Sequence, residues 1–282
     1  MRLATVRIDG GTKAGLVRDT DIALLPYGDV GELLASGEDW AARAGSIEPL
    51  VTVTLQDADY APLVVRPEKI VCVGANYRDH VAEVGMALPE HPTLFAKYQR
   101  SLIGAFDDIV LPPNSACADW EVELGVVVGR TLRDAGEAEA LDAVAGYTVF
   151  NDVTMRDWQL RTTQFLQGKT FEGTTPLGPF LVTPDEVDHA RDLELTCLVD
   201  DVCMQHSSTS QLVFSVGHVL AYISSFITLV PGDLIATGTP SGVGGARKPP
   251  VYLRDGQTLS SRIEGLGHQA NRCRSAAVVD AI

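Results

Sequence analysis

Between Asp119 and Gly129 the chain reads Asp-Trp-Glu-Val-Glu-Leu-Gly-Val-Val-Val-Gly, acids alternating with apolar residues and then giving way to an uncharged run. Strand side chains point alternately to two faces, so Asp119, Glu121 and Glu123 share one side and Trp120, Val122, Leu124 and Val126 the other. The apolar side needs a core behind it, and the charge-free continuation through 126–128 is the pattern of an interior strand. Carboxylates at i and i+2 lie roughly 7 Å apart on one face and repel unless a cation or water screens them. Two arrangements meet that condition: an edge strand with a solvated acidic face, or an interior strand holding a metal ion.

The remaining pattern is α+β. Residues 1–65 read as a small N-terminal α/β domain, with strands at 3–8 and 15–18, a helix over 29–44 and a strand at 51–55. Residues 66–282 form the main domain, dominated by strands at 70–73, 120–128, 147–150, 193–199 and 234–237. Helical content falls at 135–144 and 213–226, and Asp255-Gly256 marks a hairpin between two short strands. This order is not a regular βαβ series, which argues against a doubly wound parallel sheet.

Charge narrows the function. Lys and Arg total 22 against 37 Asp and Glu, a net charge of −15, so a nucleic-acid or anionic-membrane surface is not expected. No apolar run reaches the ~18 residues of a membrane span, and residues 1–8 lack a signal-peptide core. The five cysteines, 72, 117, 197, 203 and 273, form no Cys-x-x-Cys pair. A cytoplasmic, reduced protein is the expectation.

Four further stretches carry chemistry. Asp152 follows an apolar strand, where it either caps a helix or adds a third carboxylate to Glu121 and Glu123. Three carboxylates without nearby His or Cys suit Mg²⁺, Mn²⁺ or Ca²⁺ better than zinc. If residues 77–84 are helical, His80 and Glu83 stand at i, i+3, either a surface ion pair or an imidazole made basic by its carboxylate. Lys169 is a lone lysine among small and apolar residues. The loop Thr237-Gly-Thr-Pro-Ser-Gly-Val-Gly244 has backbone amides that could hold an anion, without being a Walker or dinucleotide loop.

Seven motifs occur in order: Gly74-x-Asn-Tyr-x-Asp-His80-x-x-Glu83, Trp120-Glu-x-Glu-Leu, Asn151-Asp-x-Thr-x-Arg-Asp157, Lys169-Thr-Phe, Pro176-Leu-Gly-Pro179, Thr228-Leu-x-Pro-Gly-Asp233 and Thr237-Gly-Thr-Pro-x-Gly-Val-Gly244. Together they resemble the fumarylacetoacetate hydrolase family over roughly residues 66–276. The resemblance implies a mixed β-sheet roll as catalytic domain, a homodimer, bound Mg²⁺ or Mn²⁺, and a small 2-oxo acid as substrate. It places the metal ligands on Glu121, Glu123 and Asp152, and a water-activating pair on His80 and Glu83 within a lid. Lys169 is then catalytic, and Arg156, Gln159 and Thr239 contact substrate. Two departures are Glu172, where relatives often carry Asp, and a basic stretch at 245–250 that is longer than the pattern. The reaction expected is hydrolysis of a C–C bond in an acylpyruvate-type acid such as fumarylpyruvate, in aromatic catabolism. Decarboxylation of an oxaloacetate-type acid and isomerisation of the 2-hydroxyhepta-2,4-diene-1,7-dioate type are the alternatives, with a non-catalytic metal-binding scaffold as the reading outside enzymology.

Overall fold

A computed structural model describes residues 1–49 and 51–276. Strands dominate and the helices are short, the mixed α and β organisation expected from the pattern. Ten strands form one mixed sheet. From one edge they run Thr52–Thr54, Asp21–Leu24, Gly11–Val17, Arg2–Ile8, Phe180–Val182, Val144–Asn151, Val122–Val128, Leu234–Ala236, Ile70–Gly74 and Thr93–Ala96. Every neighbouring pair is antiparallel except Leu234–Ala236 with Ile70–Gly74. A second sheet of five strands runs Val202–Ser208, Glu194–Val199, Thr258–Ile263, Gly267–Ser275 and Ile109–Leu111. Leu124 and Val149 from the first sheet share one apolar cluster with Trp120, which precedes the Val122–Val128 strand, and with Leu195, Leu259 and Ile263 from the second sheet. The strand Val122–Val128 is buried along its whole length, which settles its place in the interior.

The segment 1–65 adds its strands to the large sheet. Arg2, Leu3 and Ala4 pair with Val182, Leu181 and Phe180, so hydrogen bonding continues across the boundary expected near residue 65. Thr5 Oγ1 donates to the Leu63 carbonyl at 2.6 Å, and Arg7 Nη1 donates to Asp107 at 3.0 Å.

Local signals fixed element type better than element ends. The helix expected over 29–44 is two, Val30–Ala35 and Trp40–Ser46. Asp29 caps the first by accepting the Glu32 N–H at 2.7 Å, and Gly37 breaks the run at φ +134°, a conformation other residues avoid. The helix expected over 213–226 is Val216–Ser224, because Ser215 caps it and Val213 and Phe214 spend their N–H groups on Asn76 instead. Asp200-Asp201 turns a hairpin between Glu194–Val199 and Val202–Ser208, both residues having positive φ. The hairpin expected at Asp255-Gly256 lies one turn later, between Thr258–Ile263 and Gly267–Ser275, since no strand precedes Asp255. Among the described residues no helix is long and apolar enough to cross a membrane.

Candidate active site

Glu121 and Glu123 lie where the Val122–Val128 strand begins, and Asp152 follows the neighbouring strand, Val144–Asn151. Register joins them: Val122 pairs with Asn151, and the Asp152 N–H donates to the Glu121 carbonyl at 2.9 Å. Asn151 sits between the sheets, accepting the Glu121 N–H at 3.1 Å and donating to Ser261 Oγ at 2.9 Å. One carboxylate oxygen from each of Glu121, Glu123 and Asp152 lies within 4.8 Å of the other two, and all three side chains are buried.

Cations surround part of this cluster. Lys169 Nζ lies 2.8 Å from both Glu121 Oε2 and Asp152 Oδ2. Arg156 Nη1 is 2.7 Å from Glu121 Oε1, and its Nε donates to Asp119 Oδ2 at 2.7 Å. Lys97 Nζ donates to Asp152 Oδ1 at 2.6 Å. Burial favours the neutral form of Glu121, but Lys169 and Arg156 outweigh it and hold this carboxyl at about 2. Glu123 goes the other way. Burial raises it well above the usual carboxylate range, Asp152 and Glu121 add to the rise, and the Gly238 N–H at 2.7 Å is too little to reverse it. Four carboxylates, counting Asp119, thus face three side-chain cations. An all-oxygen donor set with one carboxylate short of positive charge fits a hard divalent cation.

The helix expected around His80 spans Arg78–Glu83, and His80 Nδ1 meets Glu83 Oε2 at 3.0 Å. It is docked rather than free. Glu83 Oε1 accepts the Gly242 N–H at 2.9 Å, Asp79 Oδ2 accepts from Ser207 at 2.8 Å, and Arg78 donates to the Leu212 carbonyl at 2.6 Å. His80, Glu121, Glu123, Arg156, Lys169 and Thr239 line one cavity of about 370 Å³. Gln159 also lines it and accepts from Arg156 Nη1 at 3.0 Å. Thr239 Oγ1 is engaged by the protein, donating to the Val122 carbonyl at 3.0 Å and accepting from Gln205 Nε2 at 2.8 Å.

Asp119 shares the Arg156 guanidinium with Glu121 and also accepts from the N–H groups of Gly244 and Gly245, at 2.7 and 2.8 Å. The 237–244 loop accordingly aims its amides at the protein's own carboxylates, Gly238 at Glu123, Gly242 at Glu83 and Gly244 at Asp119, and not at a ligand anion. Of the two departures, Glu172 is exposed and faces Arg100 at 3.9 Å. In the 245–250 stretch Gly245 and Ala246 line the cavity, while Arg247 donates back to the Met204 carbonyl at 2.9 Å.

Sequence reasoning missed Lys97, Gln205 and the rings Phe95 and Phe165 of the cavity wall. Lys97 had a signal, a single lysine ending the apolar stretch Leu94-Phe-Ala, much as Lys169 stands alone. Gln205 had none, because its Oε1 reaches the Val122 N–H, at 3.0 Å, from a distant strand.

Comparison with known proteins adds to this geometry. The family model described as "Fumarylacetoacetate (FAA) hydrolase C-terminal" matches residues 69–274. Over 245 residues the chain is 46% identical to the oxaloacetate tautomerase FAHD2A, mitochondrial, of Bos taurus, covering 86% of this chain and 78% of that protein. The solved fumarylacetoacetate hydrolase of the psychrophile Exiguobacterium antarcticum superposes with a TM-score of 0.85 at 33% identity, covering 98% of this chain and 100% of that one. A 2-hydroxyhepta-2,4-diene-1,7-dioate isomerase from Mycobacterium marinum gives a TM-score of 0.80 at 30% identity, covering 98% and 99%.

Proposed function

Because this chain belongs to the fumarylacetoacetate hydrolase family, we propose that it is an Mg²⁺- or Mn²⁺-dependent enzyme interconverting the enol and keto forms of a small 2-oxo acid. The observation that carries this reading is the carboxylate cluster Glu121, Glu123 and Asp152, whose two glutamates share a cavity with His80, an imidazole tethered by Glu83. When bound, the cation supplies Lewis acidity beside the substrate's carboxylate and 2-oxygen, lowering the energy of negative charge there.

The remaining work belongs to side chains. Glu121, Glu123 and Asp152 hold the cation. Lys169, and Arg156 through its Nη2, which has no hydrogen-bond partner among the described residues, hold the substrate's anionic oxygens. Gln159 orients the guanidinium from Nη1. Glu83, accepting from Nδ1, leaves His80 Nε2 to deliver a proton to C3 of an enol or to remove it from the keto form. Thr239 ties the 237–244 loop to the strand that carries the two glutamates. The test follows the enol absorbance of freshly dissolved oxaloacetate with Mn²⁺. Acceleration by the protein beyond that of buffer and metal supports the reading, and its absence overturns it.

Hydrolysis of an acylpyruvate, the first expectation from sequence, becomes the second reading. It draws on the same His80–Glu83 pair, directed at a water instead of C3, and on the likeness to a solved fumarylacetoacetate hydrolase. The 46% identity to a protein named for a specific activity, oxaloacetate tautomerase, supports placing enol–keto chemistry first. Loss of fumarylpyruvate or acetylpyruvate with release of pyruvate, in the same preparation, would reverse that order.

A further inference from the structure

His80 is held by a carboxylate that itself needs holding. The Glu83 side chain is 24% exposed, and a long side chain with access to water keeps its rotamer freedom unless a second contact fixes it. The Gly242 N–H supplies that contact, donating to Oε1 at 2.9 Å while Oε2 faces His80 Nδ1 at 3.0 Å. The orientation of the imidazole therefore passes through one backbone amide of the 237–244 loop.

The place of that amide is set from outside the loop. Gly242 has φ +103°, a conformation glycine enters and leaves at little cost. Its carbonyl accepts from Trp120 Nε1 at 3.2 Å and from Arg247 Nη2 at 3.3 Å. The same Nη2 donates to the Met204 carbonyl at 2.9 Å, and a Cβ on Gly242 would stand 2.1 Å from that oxygen. Arg247 thus clips the loop to the strand Val202–Ser208 where the two backbones touch. Its guanidinium carbon lies 5.9 Å from the centroid of the Trp120 ring, and its Nε is buried with no partner among the described residues. An unmade buried donor costs stability, so the two carbonyl bonds, not full satisfaction of the guanidinium, fix its place.

We propose that Arg247, from the basic stretch 245–250, is a positioning residue for proton transfer. It pins Gly242, whose N–H holds Glu83, which holds His80. Arg247 is not among the described residues that line the cavity, so its loss acts on orientation and not on substrate contact. The proposal rests on the enol–keto reading for the reaction that His80 performs, and on the structure alone for the chain of contacts.

Exchange and turnover test these two parts separately. Arg247→Met keeps an apolar stem beside Trp120 and removes every donor; Arg247→Gln, polar but too short to span both carbonyls, replaces it should it not fold. Amide hydrogen exchange of the full chain is expected to quicken roughly 10-fold over residues 78–84 and 240–244, and to stay within about 3-fold in the Gly267–Ser275 strand. Unchanged exchange, or the same rise in all three segments, overturns the chain of contacts. In the second arm, oxaloacetate tautomerisation at saturating Mn²⁺ should lose roughly 10-fold or more in kcat with KM within about 3-fold. The same substitution made in Glu83→Ala should cost nothing further, because the contact it supports is already gone. An unchanged kcat, a rise in KM alone, or an undiminished loss in the Glu83→Ala background overturns the positioning role. If wild type does not accelerate tautomerisation, the enol–keto reading fails, and the exchange result by itself decides whether Arg247 holds the His80 helix.

Discussion

Lys97 Nζ lies 2.6 Å from Asp152 Oδ1, and both side chains are fully shielded from solvent. Asp152 gives its other oxygen to Lys169 at 2.8 Å, so this carboxylate is held between two ammonium groups. Removing one partner of a buried pair leaves an uncompensated charge and costs about 3–5 kcal/mol. Lys97→Met is expected to lose stability of that order in urea unfolding without added metal, and to recover part of it in saturating Mn²⁺. An unchanged midpoint would show that Lys97 does not balance Asp152.

Glu123 is the carboxylate with least positive charge around it, and its position well above the usual carboxylate range reflects burial and then its acidic neighbours. A cation there stabilises the fold by mass action, about 2.7 kcal/mol at 100 times its Kd. Wild type should show that gain with Mn²⁺, and Glu123→Ala should show none, with no measurable heat on titration. Unaltered Mn²⁺ affinity in the variant would locate the cation elsewhere.

In the proposed mechanism His80 acts on the substrate and not on the cation. His80→Ala should lower the tautomerisation rate by roughly 10²–10⁴, the size of a lost general acid–base group, and leave Mn²⁺ binding as it was. Glu83→Gln should retain more activity, because an amide oxygen still accepts from Nδ1. Full activity in His80→Ala would assign proton transfer to another group.

Continuity of the large sheet through Arg2–Ile8 and Phe180–Val182 predicts one cooperative unfolding event for both halves of the chain. Trp40 reports from the 1–65 segment and Trp120 from beside the glutamates, so single-tryptophan variants can follow each region. Coincident urea transitions are expected. An earlier transition at Trp40 would show that 1–65 unfolds as an independent unit.

Much of the site was legible because its signals are local. Alternation around 119–128 assigned Glu121 and Glu123 to one face and an apolar core to the other, and helical spacing brought His80 to Glu83. Caps were less visible. Asp29 and Ser215 each set a helix start, but Gly37 and the Asn76 bonds to Val213 and Phe214 decided where helix gave way to turn.

By itself the sequence determined which residues share a face, since periodicity and capping act over a few residues. What lies across from a face was decided only by tertiary structure. Asp119 has the same parity as the glutamates, yet Arg156 and the amides of Gly244 and Gly245 turn it to a structural task. Lys97 reaches Asp152 across 55 positions of chain, and Gly238 reaches Glu123 across 115. Such pairs form because a carboxylate buried by the sheet must find a donor or a cation in whatever backbone the fold brings beside it, and no local pattern records that neighbour.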